Sequence, residues 1–285
     1  MLSIYLTLTI FSIFVLTLPF LLNLKVRKRI DKRWYIGLTI SSLLIIFALW
    51  FIATNGSVEE RMVNPIILPA PVEVVQAFPT LHFNQGLVRN VITSFNRVCL
   101  GFTLAVIFCF GVGIAMAAFT PVYAFFRPVQ TATSYVPTIS FIPLTLAWWG
   151  IDETQKIGFL FIACTIALLP IVINSINGVC KSYLDVARTK GASEYQLLRH
   201  VLIPIAAPQI WDGMRIVFGI GWTWIILVEM MNANAGIGYL IGLSEKRGNV
   251  DSVFALILVI ILIAMTCDYI WRSVGAQLFK WKKVV

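Results

Sequence analysis

Charge is scarce in this sequence. Aspartate, glutamate, lysine and arginine make up 12% of its 285 residues, 59% are hydrophobic, and the mean hydropathy is +0.88. Soluble domains carry about a quarter charged residues. With half that share the chain has too few solvated groups to cover a water-facing surface, which excludes a soluble globular protein. Histidine is almost missing, with His82 and His200 the only two, and the five cysteines (Cys99, Cys109, Cys164, Cys180, Cys267) lie mostly in apolar runs with neither metal spacing nor a disulfide pattern. Both residue types are read as structural, so no metal site is expected. No G-x-x-x-x-G-K-[ST] loop occurs, so ATP is not bound by that route, and no dinucleotide fingerprint or nucleophile and base pair is present. The chain is therefore read as a non-enzyme without a cofactor; an intramembrane enzyme would need histidine and aspartate that it lacks.

Apolar length is what the sequence has in abundance. Runs at residues 2–24, 35–53, 91–119, 131–150, 157–179, 206–231 and 252–274 each approach the roughly 20 residues a helix needs to cross hydrocarbon, so the expected fold is all-α with about seven transmembrane helices. The charges of the first run follow it rather than precede it, which favours a span over a signal peptide. Lys25, Arg27, Lys28, Arg29, Lys32 and Arg33 crowd the link between the first two runs, and short positive loops stay cytoplasmic. Alternation then puts residues 54–90 and 232–251 outside, and the loop around Arg127, residues 181–204 and the terminal FKWKKVV inside. The net charge of +9 sits on that inner face and reports topology and anionic lipid, with no need for nucleic acid. The expected organisation is a two-span extension (1–55), an outer segment (56–90), a helical core (91–276) and a cytoplasmic tail (277–285).

One cytoplasmic loop is long. Residues 181–204, KSYLDVARTKGASEYQLLRHVLIP, read as two short helices with a bend. Gly191 can take the positive φ that ends a helix, Ser193 with Gln196 three residues on forms a capping box, and Pro204 stops or bends the chain at the next span. Asp185, Ala187, Gly191, Val201, Ile203 and Pro204 resemble the signature of ABC importer permeases: Glu-Ala-Ala, three residues, Gly, nine residues, Ile-x-Leu-Pro. The departures (Asp185 for Glu, Val186 for Ala, Val201 for Ile, Ile203 for Leu) are conservative. The blocks ILPAPVEVVQAF, SFNRVCLGF, YVPTISFIPLTLAWWGI, PQIWDGMRIVFGIGW and ILVEMMNANAGIGYLI are similar to successive blocks of the nitrate, sulfonate, taurine and bicarbonate branch of that family. Two spans ahead of the core, where one is usual, is a departure.

The resemblance implies a multi-pass bacterial inner-membrane permease whose loop, with Asp185, Ala187, Gly191, Ala192, Ser193 and Pro204, docks on a separate ATP-binding subunit. Its implied partners are two ATP-binding cassette subunits, a second permease copy or paralogue, an extracytoplasmic solute-binding protein and membrane lipid. The implied solute is a small anion; a heterocyclic vitamin precursor is the alternative, and an ATP-independent secondary transporter is the alternative in mechanism.

Intramembrane polarity marks candidate pathway or gate residues. Pro137 and Pro143 would bend the fourth span and free carbonyls that a water-filled cavity can satisfy, which favours Tyr135, Thr138, Ser140 and Trp149, although Trp148 and Trp149 also suit an interfacial aromatic belt. Glu229, near the outer end of the sixth span, suits a gate or helix-positioning bond. Arg215 is paired in the reading with Asp212, three residues away, and Asp268 with Arg272. Trp222 lies nearer mid-span. Small residues at Gly111, Gly113, Ala115, Ala117, Gly219 and Gly221 suggest close helix packing. The segment NANAGIGY and the proline-rich residues 65–71 are read as outer surfaces where a binding protein could dock.

Overall fold

The computed structural model describes residues 30–56 and 61–281. It divides after Asn55 into two units. In the first, helix α1 (Lys32–Thr54) is apolar on all faces and long enough to span a membrane. The run at residues 2–24 lies outside the described residues.

The second unit is helical throughout its described residues. Its elements are α2 (Pro71–Pro79), a π turn (Thr80–Asn84), α3 (Leu87–Ala118), α4 (Thr120–Tyr135), a 3-10 turn (Thr138–Ser140), α5 (Phe141–Trp149), α6 (Glu153–Asn177), α7 (Lys181–Thr189), α8 (Glu194–Leu197), a second π turn (Leu198–Leu202), α9 (Ile203–Asn232), α10 (Ile237–Lys246) and α11 (Val250–Leu278). With α1, five helical stretches among the described residues are long and apolar enough to cross a membrane: α1, α3, α6, α11, and α8 run on through α9.

Two expectations are corrected here. The run at 131–150 is not one span: Val136 is extended, Pro137 has no N–H to continue the helix, and the chain breaks into α4, a 3-10 turn and α5. The steric restriction that proline places on its predecessor accounts for the break. The turn expected over residues 232–239 ends at Gly236, where α10 begins with Ile237, Leu240 and Ile241 buried.

The core centres on α3 against α6, with α9 packed on α6. Gly101, Ala105, Cys109 and Gly113 recur every fourth residue on the buried face of α3. A small residue once per turn lets two backbones approach, which in lipid substitutes for a hydrophobic drive. A Cβ on Gly101 would lie 2.5 Å from Leu160 Cβ, and one on Gly113 would lie 3.0 Å from Val172 Cγ1. The expected stripe of Gly111, Gly113, Ala115 and Ala117 is thereby corrected: alternation has the period of a strand, and Gly111 faces open space. Gly219 also faces open space, while Gly221 approaches Val98.

Residues assigned outside (Asn90, Glu153 and Gly236) converge at one end of the bundle, and residues assigned inside converge at the other, where Ala118, Asn177, Lys181 and Leu197 line one hollow. Outside, Glu73 at the start of α2 accepts from the Ala70 backbone N–H (2.7 Å) and from Arg61 (2.8 Å); the bond from Arg61 leads in holding its carboxyl below the usual range.

Gly101→Ala should push α3 from α6, because the obstructing Leu160 Cβ is fixed to backbone. We expect a lower melting temperature in detergent, by the equivalent of about 1–3 kcal/mol, with Gly111→Ala near the parent; equal effects would remove the close-approach argument.

Candidate functional site

At the end of the bundle assigned inside from charge, the loop 181–204 folds by turn chemistry. Ala192 N–H bonds to Ala187 carbonyl (3.1 Å) and Gly191 N–H to Arg188 carbonyl (2.9 Å), the paired bonds of a Schellman ending, with Gly191 at φ 81°. Ser193 opens the next helix through reciprocal bonds: its N–H to Gln196 Oε1 at 2.8 Å, and Gln196 N–H to its Oγ at 3.4 Å. The structure thus brings Ala187, Gly191, Ala192 and Ser193 into one rigid bend. Asp185 lies exposed on α7, and Tyr183, Val186 and Tyr195 present large side chains to solvent nearby. The exposed Arg188–Glu194 pair at 3.3 Å adds little.

Pro204 does not stop the chain. Ile203 N–H bonds back to Leu198 carbonyl in the π turn just before it, a register shift that accommodates the ring. The helical stretch from Glu194 to Asn232 is continuous over 39 residues, so the bend is joined without a loop to the bundle.

At the outer end a buried polar cluster gathers around Glu229, in the last turn of α9. Asn90, Ser94 and Arg97 project from one face of α3 at helical spacing. Arg97 Nη1 donates to Glu229 Oε1 (2.6 Å) and to Ala235 carbonyl (2.7 Å), while its Nε (2.6 Å) and Nη2 (2.5 Å) grip both oxygens of Glu153 at the start of α6. Ser94 Oγ lies 2.8 Å from both Glu229 oxygens. Lys156 Nζ stands 3.7 Å from Glu153. Two cations therefore face two carboxylates, and the cluster is electrically balanced.

The same side chains cap α10. Its first N–H groups have no helical partner of their own; here Gly236 N–H reaches Asn90 Oδ1 (2.7 Å), Ile237 N–H reaches Ser94 Oγ (2.8 Å) and Gly238 N–H reaches Glu229 Oε2 (2.9 Å). Gly236, at φ 119°, leaves no room for a Cβ beside the Glu229 carboxylate, and a Cβ on Gly238 would lie 2.5 Å from Ile226 carbonyl. Gly236, Ile237 and Gly238 of the NANAGIGY segment are consequently folded into the cluster, while Asn234 stays exposed.

Of the other pathway candidates, Tyr135 is 83% exposed beside the break, Ser140 is exposed and Thr138 half-buried. Trp149 lays its ring over Gly158 of α6. Trp222 is buried near Phe95, their ring centroids 6.2 Å apart. Arg215 pairs with Asp268 of α11 at 2.9 Å, and Asp268 also receives Arg272 at 2.8 Å, the second being the expected Asp268–Arg272 pair. The structure places Glu229 with Arg97, Ser94, Asn90 and Glu153, none of which sequence reasoning named as site residues. The available signal was polar residues at i, i+4 and i+7 in an apolar helix.

Arg97→Met should leave Glu229 buried without its cation and cost about 3–5 kcal/mol, read as lost thermal stability or insertion. Glu153→Gln, at the exposed edge, should cost much less. Equal losses would show that burial is not what gives the pair its weight.

The family model described as "Binding-protein-dependent transport system inner membrane component" matches residues 107–277. The chain is 29% identical to the taurine transport system permease protein TauC of Escherichia coli (strain K12), over 89% of this chain and 94% of that one. It is 26% identical to the nitrate import permease protein NrtB of Synechocystis sp., over 80% and 83%. Its fold is similar to a structure of the MetNI methionine ABC transporter solved in inward-facing conformations, with TM-score 0.61 and 16% identity over 67% of this chain and 95% of that one. A family match over most of the helical core, joined to likeness along nearly the full length of such permeases, establishes that the chain belongs to the binding-protein-dependent transport system inner membrane components, as a multi-pass permease subunit of an ABC importer.

Proposed function

We propose that this permease forms half of the path for a small anion and that ATP-binding subunits drive it through the loop 181–204. The observation that carries the reading is the continuous helical stretch from Glu194 to Asn232, which begins at the Gly191 bend and ends at the Glu229 cluster. An ATP-binding subunit docked on α7 and α8, against Tyr183, Val186 and Tyr195, would move that bend. With no flexible link between α8 and α9, the displacement would pass along α9 to the outer end, where α10 is tied to Glu229. Two discrete packings of such tied elements turn a small shift into a change of access.

A unit with one such bundle encloses a path only with a second copy or a related subunit, and two ATP-binding subunits follow from that symmetry. An external solute-binding protein would deliver the solute to the outer end. Likeness to TauC, a taurine permease by name, and to NrtB, a nitrate permease by name, supports a small oxyanion as the solute. The balanced charge of the Arg97–Glu229 cluster removes the objection that a glutamate there would repel it. Tyr135, Thr138 and Ser140 at the broken fourth segment, together with Trp149, Arg215 and Trp222, remain the proposed path or gate residues.

Gly191→Pro imposes a negative φ and deletes the bond to Arg188 carbonyl, whereas Gly191→Ala only strains the turn. In complexes purified with the cognate ATP-binding subunits, solute-stimulated ATP hydrolysis is expected to fall at least tenfold for Gly191→Pro, on the order of the 1.4 kcal/mol needed for a factor of ten, and about two- to fivefold for Gly191→Ala. Membrane levels should match the parent. A Gly191→Pro complex that hydrolyses ATP as the parent does would end the coupling reading. Uptake assays with labelled taurine and nitrate in vesicles, with a thiazole or pyrimidine precursor as the competing class, test the solute.

A further inference from the structure

Helix α4 carries polar residues along one face, three of them exposed. Tyr123, Arg127, Gln130, Thr131 and Ser134 stand at offsets of four, seven, eight and eleven, which is one side of a helix. Arg127, Thr131 and Ser134 are exposed, Tyr123 and Gln130 half-buried, and no residue of α4 is fully buried. The face is organised: the Arg127 guanidinium lies 5.4 Å from the Tyr123 ring centroid, and Gln130 Nε2 lies 3.3 Å from Ser134 Oγ.

The depth of this face follows from its neighbours. Val129 and Thr133 of α4 share a cavity of about 340 Å³ with Phe108 and Met116 of α3 and Phe161 and Leu169 of α6. Arg127 is half a turn from Val129, so it sits inside the bundle's length rather than in a loop beyond it, contrary to the expectation for this residue. At that depth a guanidinium cannot face hydrocarbon at small cost. Arg97, Lys156 and Arg215 each have a carboxylate partner, but among the described residues Arg127 has none and its one described partner is the Tyr123 ring. Directly beyond the polar face the helix breaks at Pro137, and broken backbone at membrane depth is tolerated where it is buried in protein or lines a water-filled cavity.

We infer that Tyr123, Arg127, Thr131 and Ser134 form a hydrated anion-attracting track in which Arg127 supplies the charge that meets an oxyanion solute. The inference rests on the importer reading above and names the residues that give the path its sign. The track has Arg127 at its inner part and hydroxyls toward the break. A single cation with hydroxyl donors holds a small oxyanion weakly enough to release it. An anionic lipid headgroup has the same chemistry as an oxyanion solute, and the two differ in whether water reaches Thr131 and Ser134.

The test uses the whole complex in right-side-out and everted membrane vesicles, in a Cys180→Ser background because Cys180 is the exposed thiol. Thr131→Cys and Ser134→Cys are labelled with an anionic sulfonatoethyl and a cationic trimethylammonium-ethyl methanethiosulfonate, with Ile107→Cys on the exposed apolar face of α3 as the lipid-facing control. Both track sites should react from at least one side, the control should not, and the anionic reagent should lead, on the order of tenfold relative to its rate with a free thiol. Adding Arg127→Gln should abolish that preference, and Arg127→Lys should keep most of it. Track sites that resist both reagents from both sides would place lipid or protein on this face and overturn the inference. Labelling whose charge preference survives Arg127→Gln would overturn the role of the arginine. Because the readout is thiol chemistry rather than transport, failure of taurine and nitrate uptake would count against the proposed solute while leaving the track to be judged on its own.

Discussion

The bond network around Arg97 and Glu229 is what the outer half of this bundle depends on. Removing a guanidinium and a carboxylate from water costs several kcal/mol per ion, and their mutual attraction repays it only when the remaining donors and acceptors are met. Here they are met: Arg97 binds two carboxylates and a carbonyl, and Glu229 accepts from Arg97, lies within hydrogen-bond distance of Ser94, and caps Gly238 N–H. Since these partners belong to α3, α6, α9 and the start of α10, satisfying one pair of charges fixes the relation of four helices. The arrangement specifies geometry more than it adds stability, because an apolar set of the same volume would pack at lower desolvation cost.

The inner end is built on the opposite principle. There the loop owes its shape to local backbone rules, a left-handed glycine and a side-chain cap, and presents exposed side chains instead of burying them. A locally determined bend keeps its form whether or not a partner is bound, so it can be displaced as a unit. The cluster at the far end is instead held by buried bonds between four helices. Between them lies one uninterrupted helical stretch. In the proposed reading these serve as the input, the lever and the lock that alternating access requires.

How much of this was legible in sequence depends on how local each determinant is. The long spans were readable because about 20 apolar residues have few other uses, and the Gly191 bend because its φ and its cap are chosen by residues within six positions. The break at residues 136–140 was signalled by Pro137 as a bend, but its conversion into two helices and a 3-10 turn depends on how α4 and α5 pack on α3 and α6. Helix α10 was illegible for a clearer reason. Its N-terminal donors are capped by side chains up to 146 residues away, so a stretch with two glycines read as a turn until those partners were in place. The pairing of Arg97 with Glu229 spans 132 residues and left only the spacing of Asn90, Ser94 and Arg97 as its trace.

Charge balance links the two ends of the proposed path. At the outer cluster each positive charge is matched by a carboxylate, as the burial of Arg97 and Glu229 demands. On the open face of α4 the guanidinium of Arg127 stands against the Tyr123 ring. A ring face steadies a cation without cancelling its charge. An anion travelling along such a bundle would therefore feel little net field at the cluster and attraction at the track. That asymmetry would give the path its preference for one sign of charge even if its width admitted both.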